Sequence, residues 1–238
     1  MIKERIDGLK FSPGELGLLF STAVVTALVL SFRMWGEGEK FDFNMGIESF
    51  IIMLVVSFVS LFVHFLGEKF YGIRKGMKTV YEVNLIGLLV SVVSVVLFNG
   101  WLFILAPGWS YIEAVKKQRI GKWRYRPYFR EYGFLAMNGV FASLALAGVA
   151  SLFSGNIAGL FVRANLLIAF FSLVPAPMYD GFHIFFGSFY QYAFILCFAV
   201  VFSFFLFLFN FWSAVVAGVI VGCAGFFFVM EKMKKMKK

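Results

Sequence analysis

His64 and His183 are the only imidazoles in the chain. Glu68 follows His64 four positions on, so a helix puts both side chains on one face, at the spacing of helical metal ligands. Far along the chain lies Leu173-Val174-Pro175-Ala176-Pro177-Met178-Tyr179-Asp180-Gly181. Its prolines break a helix and free backbone groups. A carboxylate at that bend, Asp180, could reach across to His64. His183 comes three residues after Asp180, so the two share a face if a helix restarts there. His64, Asp180 and His183 would then hold a metal, with Glu68 as a fourth ligand or a displaced base. A plainer reading stands beside it. Glu68 bonds His64 within one helix, Asp180 caps a broken helix, and His183 bonds a loop carbonyl. Cys197 and Cys223 lie inside apolar runs and have no ligand spacing.

The elements that must position these groups are membrane helices. Of 238 residues, 61% are apolar and only 15% charged, against about 25% charged in a soluble domain. A soluble fold of this size cannot hide so much apolar surface. Secreted, cytosolic and nucleic-acid-binding classes are excluded, and the net charge of +9 reads as a topology signal. The 34 phenylalanines read as lipid-facing and packing surface. Ser12-Pro13-Gly14-Glu15 has the form of a capping box that opens a retained first helix, not a cleaved signal.

Apolar runs predict spans at about 14–35, 47–66, 132–154, 157–177, 187–209 and 211–230. A further run, 83–106, is interrupted by Asn99-Gly100 and ends before Pro107-Gly108. If it crossed, the basic 107–131 loop would lie on the wrong side for the positive-inside rule. If it enters and returns, only Arg33, Lys40 and Arg163 fall outside, and 19 of the 22 Lys and Arg lie inside. The expectation is an all-α polytopic protein of the cell membrane in one domain, 1–238. It has six transmembrane helices, a re-entrant element and both termini cytoplasmic. Parity then brings His64 and Asp180 to the same side. Within the basic loop, residues 121–126 read as a short strand.

The ordered motifs resemble the site-2 proteases, the intramembrane zinc metalloproteases, in the archaeal-type branch. His64-Phe65-Leu66-Gly67-Glu68-Lys69-Phe70 is similar to their H-E-L-G-H-K-F helix. Asn84-Leu85-Ile86-Gly87 and Ala106-Pro107-Gly108-Trp109-Ser110-Tyr111-Ile112 are similar to their N-P-x-G and A-P-G-x-x-Y-I elements. Asn138-Gly139-Val140 stands where A-G-P is common, and Val174 to Gly181 matches the P-x-P-x-x-D-G element most closely. The resemblance implies that His64 and Asp180 occupy metal-ligand positions. It also implies that Phe65 replaces the general-base glutamate and Glu68 the second histidine. Ser172 replaces an asparagine of the aspartate motif, and Val140 and Ser143 replace the proline and asparagine of A-G-P-x-x-N.

Phenylalanine accepts no proton, and losing a positioned base costs about 10²–10⁴ in rate. The reading is a site-2-protease-like pseudoprotease, with no catalytic residue and no cofactor expected. It would bind a transmembrane or membrane-associated protein at a groove of Ser172, Pro175, Pro177 and Gly181, in contact with the lipid bilayer. The basic loop would hold anionic headgroups or that partner. The alternative is a metallohydrolase with remodelled ligands: His64 and Asp180, with Glu68 or His183. That harder donor set would take zinc or another divalent metal such as manganese or iron. A transporter or channel needs a series of intramembrane charges, which the sequence does not display.

Overall fold

The computed structural model describes residues 11–36, 41–75, 77–114 and 128–236. Its elements, in order, are α1 (Pro13–Ser31), α2 (Phe43–Arg74), β1 (Met77–Glu82), α3 (Leu85–Leu97), β2 (Trp109–Ala114), α4 (Phe129–Ala150), α5 (Asn156–Ser172), α6 (Asp180–Gly187), α7 (Phe189–Leu208) and α8 (Phe211–Met236). A 3₁₀ turn, Phe32–Met34, extends α1. The architecture is that of a helical membrane protein. Among the described residues, five helices are long and apolar enough to cross a membrane: α1 with its 3₁₀ turn, α2, α4, α7 and α8. Shorter apolar helices are α3, of 13 residues, and α5, of 17.

Local signals set the helix ends. Ser12 and Glu15 form the reciprocal capping box at α1. The Asp42 carboxylate accepts from the Asn44 and Met45 amides at the start of α2. Asn84 caps α3 by accepting from the Gly87 amide at 2.9 Å. α5 stops at Ser172 because Pro175 and Pro177 follow, and the chain turns through Met178 (φ 63°) into α6. α2 runs on past residue 66 to Arg74, so His64 and Glu68 lie well within the helix.

Lys69, Arg74, Lys75 and Lys78 suggest a basic loop after the second span, but Lys69 and Arg74 lie in α2 and a strand begins at Met77. β1 and β2 pair antiparallel, from Met77 opposite Ala114 to Glu82 opposite Trp109. Met77, Thr79 and Tyr81 are buried while Lys78 and Glu82 are exposed, the period-2 pattern of a sheet with one covered face. This pairing holds the two ends of 83–108 side by side. Between them α3 rises, reverses at Asn99 (φ 48°) and Gly100 (φ 71°), and the chain returns. Gly108 (φ 90°) permits the re-entry into β2, since a Cβ there would lie 2.6 Å from the Tyr81 ring. The strand expected at 121–126 lies outside the described residues.

The largest apolar core joins α4, α5, α6 and α7, through Val140, Leu144, Leu166, Leu173, Ile184 and Ile195 among others. A second cluster joins α1, α2, β1 and α5 around Leu19, Leu61, Phe65, Tyr81 and Ile168. The polar groups lie between these two.

Candidate metal centre

α2 contributes His64 and Glu68, α4 contributes Ser143, and the first residue of α6 contributes Asp180. All four are sealed from solvent. The His64 imidazole is held at both nitrogens. Nε2 lies 2.9 Å from Asp180 Oδ2, and Nδ1 lies 2.8 Å from Ser143 Oγ. With Nε2–H donating to the carboxylate, Nδ1 accepts from the serine hydroxyl. Glu68 Oε1 stands 3.8 Å from Nε2, one helical turn along.

Unlike the imidazole, the Glu68 carboxylate makes no well-formed hydrogen bond at either oxygen, although the Ser110 hydroxyl and the Asp180 carboxyl stand beside it. Burying a polar group without a partner is costly, and burying a charge more so. Such a carboxylate calls for a proton or a cation. One donor atom from each of His64, Glu68 and Asp180 lies within 4.8 Å of the other two. Bonds of about 2.0–2.2 Å to one ion need donors clustered on nearly that scale. Space is left in front of them by Gly139, where a Cβ would lie 2.7 Å from His64 Nε2 and 2.9 Å from Glu68 Oε1. One imidazole and two carboxylates suit a divalent cation of intermediate hardness. The donor set therefore fits a metal, on the strength of the under-bonded carboxylate and the open cradle. Binding one requires the other His64 tautomer, with Nδ1–H donating to Ser143 and Nε2 free.

His183 does not join the three convergent donors. Its ring is stacked between Trp109 (5.5 Å) and Tyr132 (5.1 Å), with Nδ1 buried and unpartnered. α6 does restart at Asp180, but three residues on, its face meets β2 and α4 and not α2. Phe65, next to His64, is 1% exposed and packs its ring on Tyr81 at 4.4 Å. Of the groove residues, Ser172 and Gly181 are buried and Pro175 and Pro177 exposed. Ser172 Oγ is unpartnered, and a Cβ at Gly181 would collide with the Leu173 carbonyl.

Two features were missed from sequence. Ser143, which the resemblance singles out only as a replacement of an asparagine, bonds the imidazole, and that contact has no signal in the sequence. The other is a second buried polar group. Lys69 Nζ donates to Glu15 Oε1 (2.8 Å) and to the Thr79 carbonyl (2.9 Å), and Glu15 also accepts from the Tyr81 and Ser12 amides. A lysine within an apolar helix signals a partner, but does not say which one.

No family model matches the chain, and neither the characterised proteins nor the solved structures yield a match.

Proposed function

We propose that this chain is a site-2-protease-like, multi-pass protein of the cell membrane that has lost peptidase chemistry and binds a transmembrane segment beside its buried polar centre. The observation that carries the reading is Phe65. Where the motif it resembles has a general base, this chain has a ring buried in an apolar cluster against Tyr81. The pairing of β1 with β2 supports a re-entrant 83–108, because an excursion whose ends are paired makes no net crossing. With α5 added to the five long helices, six crossings put both termini on the cytoplasmic face, in keeping with the charge distribution. The exposed Pro175 and Pro177 and the outer edge of β2 offer an extended partner its backbone contacts, the outer edge of β1 being taken by Glu15 and Lys69.

A second reading rests on a different observation, the under-bonded Glu68 carboxylate facing His64 and Asp180. His64, Glu68 and Asp180 would hold a divalent cation, with Ser143 orienting the imidazole. Bound there, a cation supplies Lewis acidity toward a carbonyl or a water. His64 and the two carboxylates are then committed as ligands, and Phe65 cannot take up a proton.

Both readings are tested on detergent-purified protein. Metal content is measured after incubation with zinc, manganese or iron, beside a His64→Ala, Asp180→Asn double variant. Synthetic transmembrane peptides are assayed for binding and for cleavage. The expected result is peptide binding without cleavage, and metal in the wild type alone. Metal-dependent cleavage by wild type, absent in the variant, would overturn the pseudoprotease reading. Metal-free wild type would end the metal reading and leave the first intact.

A further inference from the structure

At the end of the molecule away from the sheet, α1 and the re-entrant α3 line a half-open cavity of about 780 Å³. α1 runs from Glu15, bonded to β1, up to Arg33, and α3 runs from Asn84, beside β1, up to Asn99. The cavity therefore sits where both elements reach the opposite face. Its walls are apolar: Leu28 from α1, and Val92 and Val96 from α3. Among the described residues its polar lining is Arg33, Asn99, Trp35 and Trp101, with no carboxylate. The Arg33 guanidinium lies 3.9 Å over the Trp101 ring and has no carboxylate partner among the described residues. The tip of the excursion packs against it, since a Cβ at Gly100 would lie 2.6 Å from Arg33 Cγ.

This chemistry is amphiphilic. A guanidinium with no carboxylate partner among the described residues, and an amide, offer donors to an anionic headgroup, and two indole rings line the same space. Aliphatic walls below them accept hydrocarbon. Tryptophan and arginine at the end of a membrane helix also mark headgroup depth. A volume of about 780 Å³ has room for a glycerol phosphate and the first carbons of its chains. We propose that it is a binding site for one phospholipid of that leaflet, with the phosphate held by Arg33 and the upper acyl chains between α1 and α3. The lipid then wedges the re-entrant element against α1, independently of whether the His64 centre holds a metal.

The test is native mass spectrometry of the full chain in detergent. Phosphatidylglycerol is titrated in beside a diacylglycerol of the same chains, for wild type, Arg33→Gln and Val96→Trp. Wild type is expected to retain one phosphatidylglycerol and no diacylglycerol. Arg33→Gln, which removes a charge-assisted bond, should weaken retention about tenfold. Val96→Trp, which fills the wall, should abolish it while Arg33 remains. Equal retention by all three proteins would overturn the proposal, as would equal retention of diacylglycerol. Displacement of the lipid by millimolar inorganic phosphate would also overturn it, by showing a site for free phosphate.

Discussion

Glu68 and Lys69 are neighbours on α2, both buried, and their environments differ completely. Lys69 points toward α1 and β1, where its charge is met by Glu15, the Thr79 carbonyl and the Phe11 ring at 4.4 Å. Glu15 in turn accepts from two backbone amides. That cluster is closed and needs no ligand. Glu68 points the other way, toward α4 and α6. It meets an imidazole already bonded to Asp180, the Ser110 hydroxyl without a well-formed bond, and a glycine in place of a side chain. One side of the helix holds a completed structural staple; the other holds an incomplete polar shell. Where a buried polar group is satisfied by the chain itself, its role is to hold elements together. Where it is not, an outside species must complete it.

The contrast is sharpest when one member of each cluster is removed. Lys69→Met leaves Glu15 buried without its cation, a loss of about 3–5 kcal/mol of the kind seen when a buried pair is broken. The variant should fail to accumulate or should melt far below wild type in detergent. Glu68→Gln should show the opposite behaviour, with metal-free stability retained because the amide still meets Ser110 and a buried carboxylate is removed from beside Asp180. The two proteins separate when zinc is added. At a hundredfold excess over its dissociation constant a ligand adds about 2.7 kcal/mol. A thermal shift of that size is expected for wild type and none for Glu68→Gln. Equal shifts would break the comparison.

Smaller effects probe the shell. Gly139→Ala places a methyl against His64 and Glu68, and overpacking of this kind costs about 1–3 kcal/mol. It should also abolish the zinc shift. Ser143→Ala removes the group that sets the His64 tautomer, and loss of such an orienting partner costs about 10–100-fold in metal affinity. Isothermal titration should find that loss with little change in metal-free melting. The smallest effect belongs to His183. Burial holds its imidazole below the ordinary range, with Asp180 acting in the opposite direction. The unfolded chain then binds more protons, so stability is lost as pH falls below about 6.5 and the loss is complete below the depressed value. His183→Phe should keep the stack and flatten that dependence in a melting series from pH 8 to 5.

Much of this was legible from residue order. The His64–Glu68 spacing puts both groups on one helix face whatever the helix packs against. The capping box at Ser12, the prolines after Ser172 and the turn at Asn99-Gly100 act within a few residues, and the structure has helix ends or reversals at each. The 77–82 strand is hard to see in the sequence because it is short and follows the basic residues Lys69, Arg74 and Lys75, with Lys78 inside it. Yet Thr79-Val80-Tyr81 carries β-branched and aromatic side chains in alternation. The fate of His183 was not legible. Its spacing from Asp180 admits a shared face, but the stack with Trp109 and Tyr132 depends on where β2 and α4 pass.

The sequence by itself determined the class of molecule and the periodic elements. Apolar run length, helix periodicity and proline or asparagine stops are local, and each acts through backbone hydrogen bonding over one or two turns. Only the tertiary structure decided which buried polar groups met a partner. Glu15 and Lys69 are 54 positions apart, His64 and Asp180 116. Pairings at that distance follow from how helices pack, which glycines let them approach, and which face the neighbouring element covers.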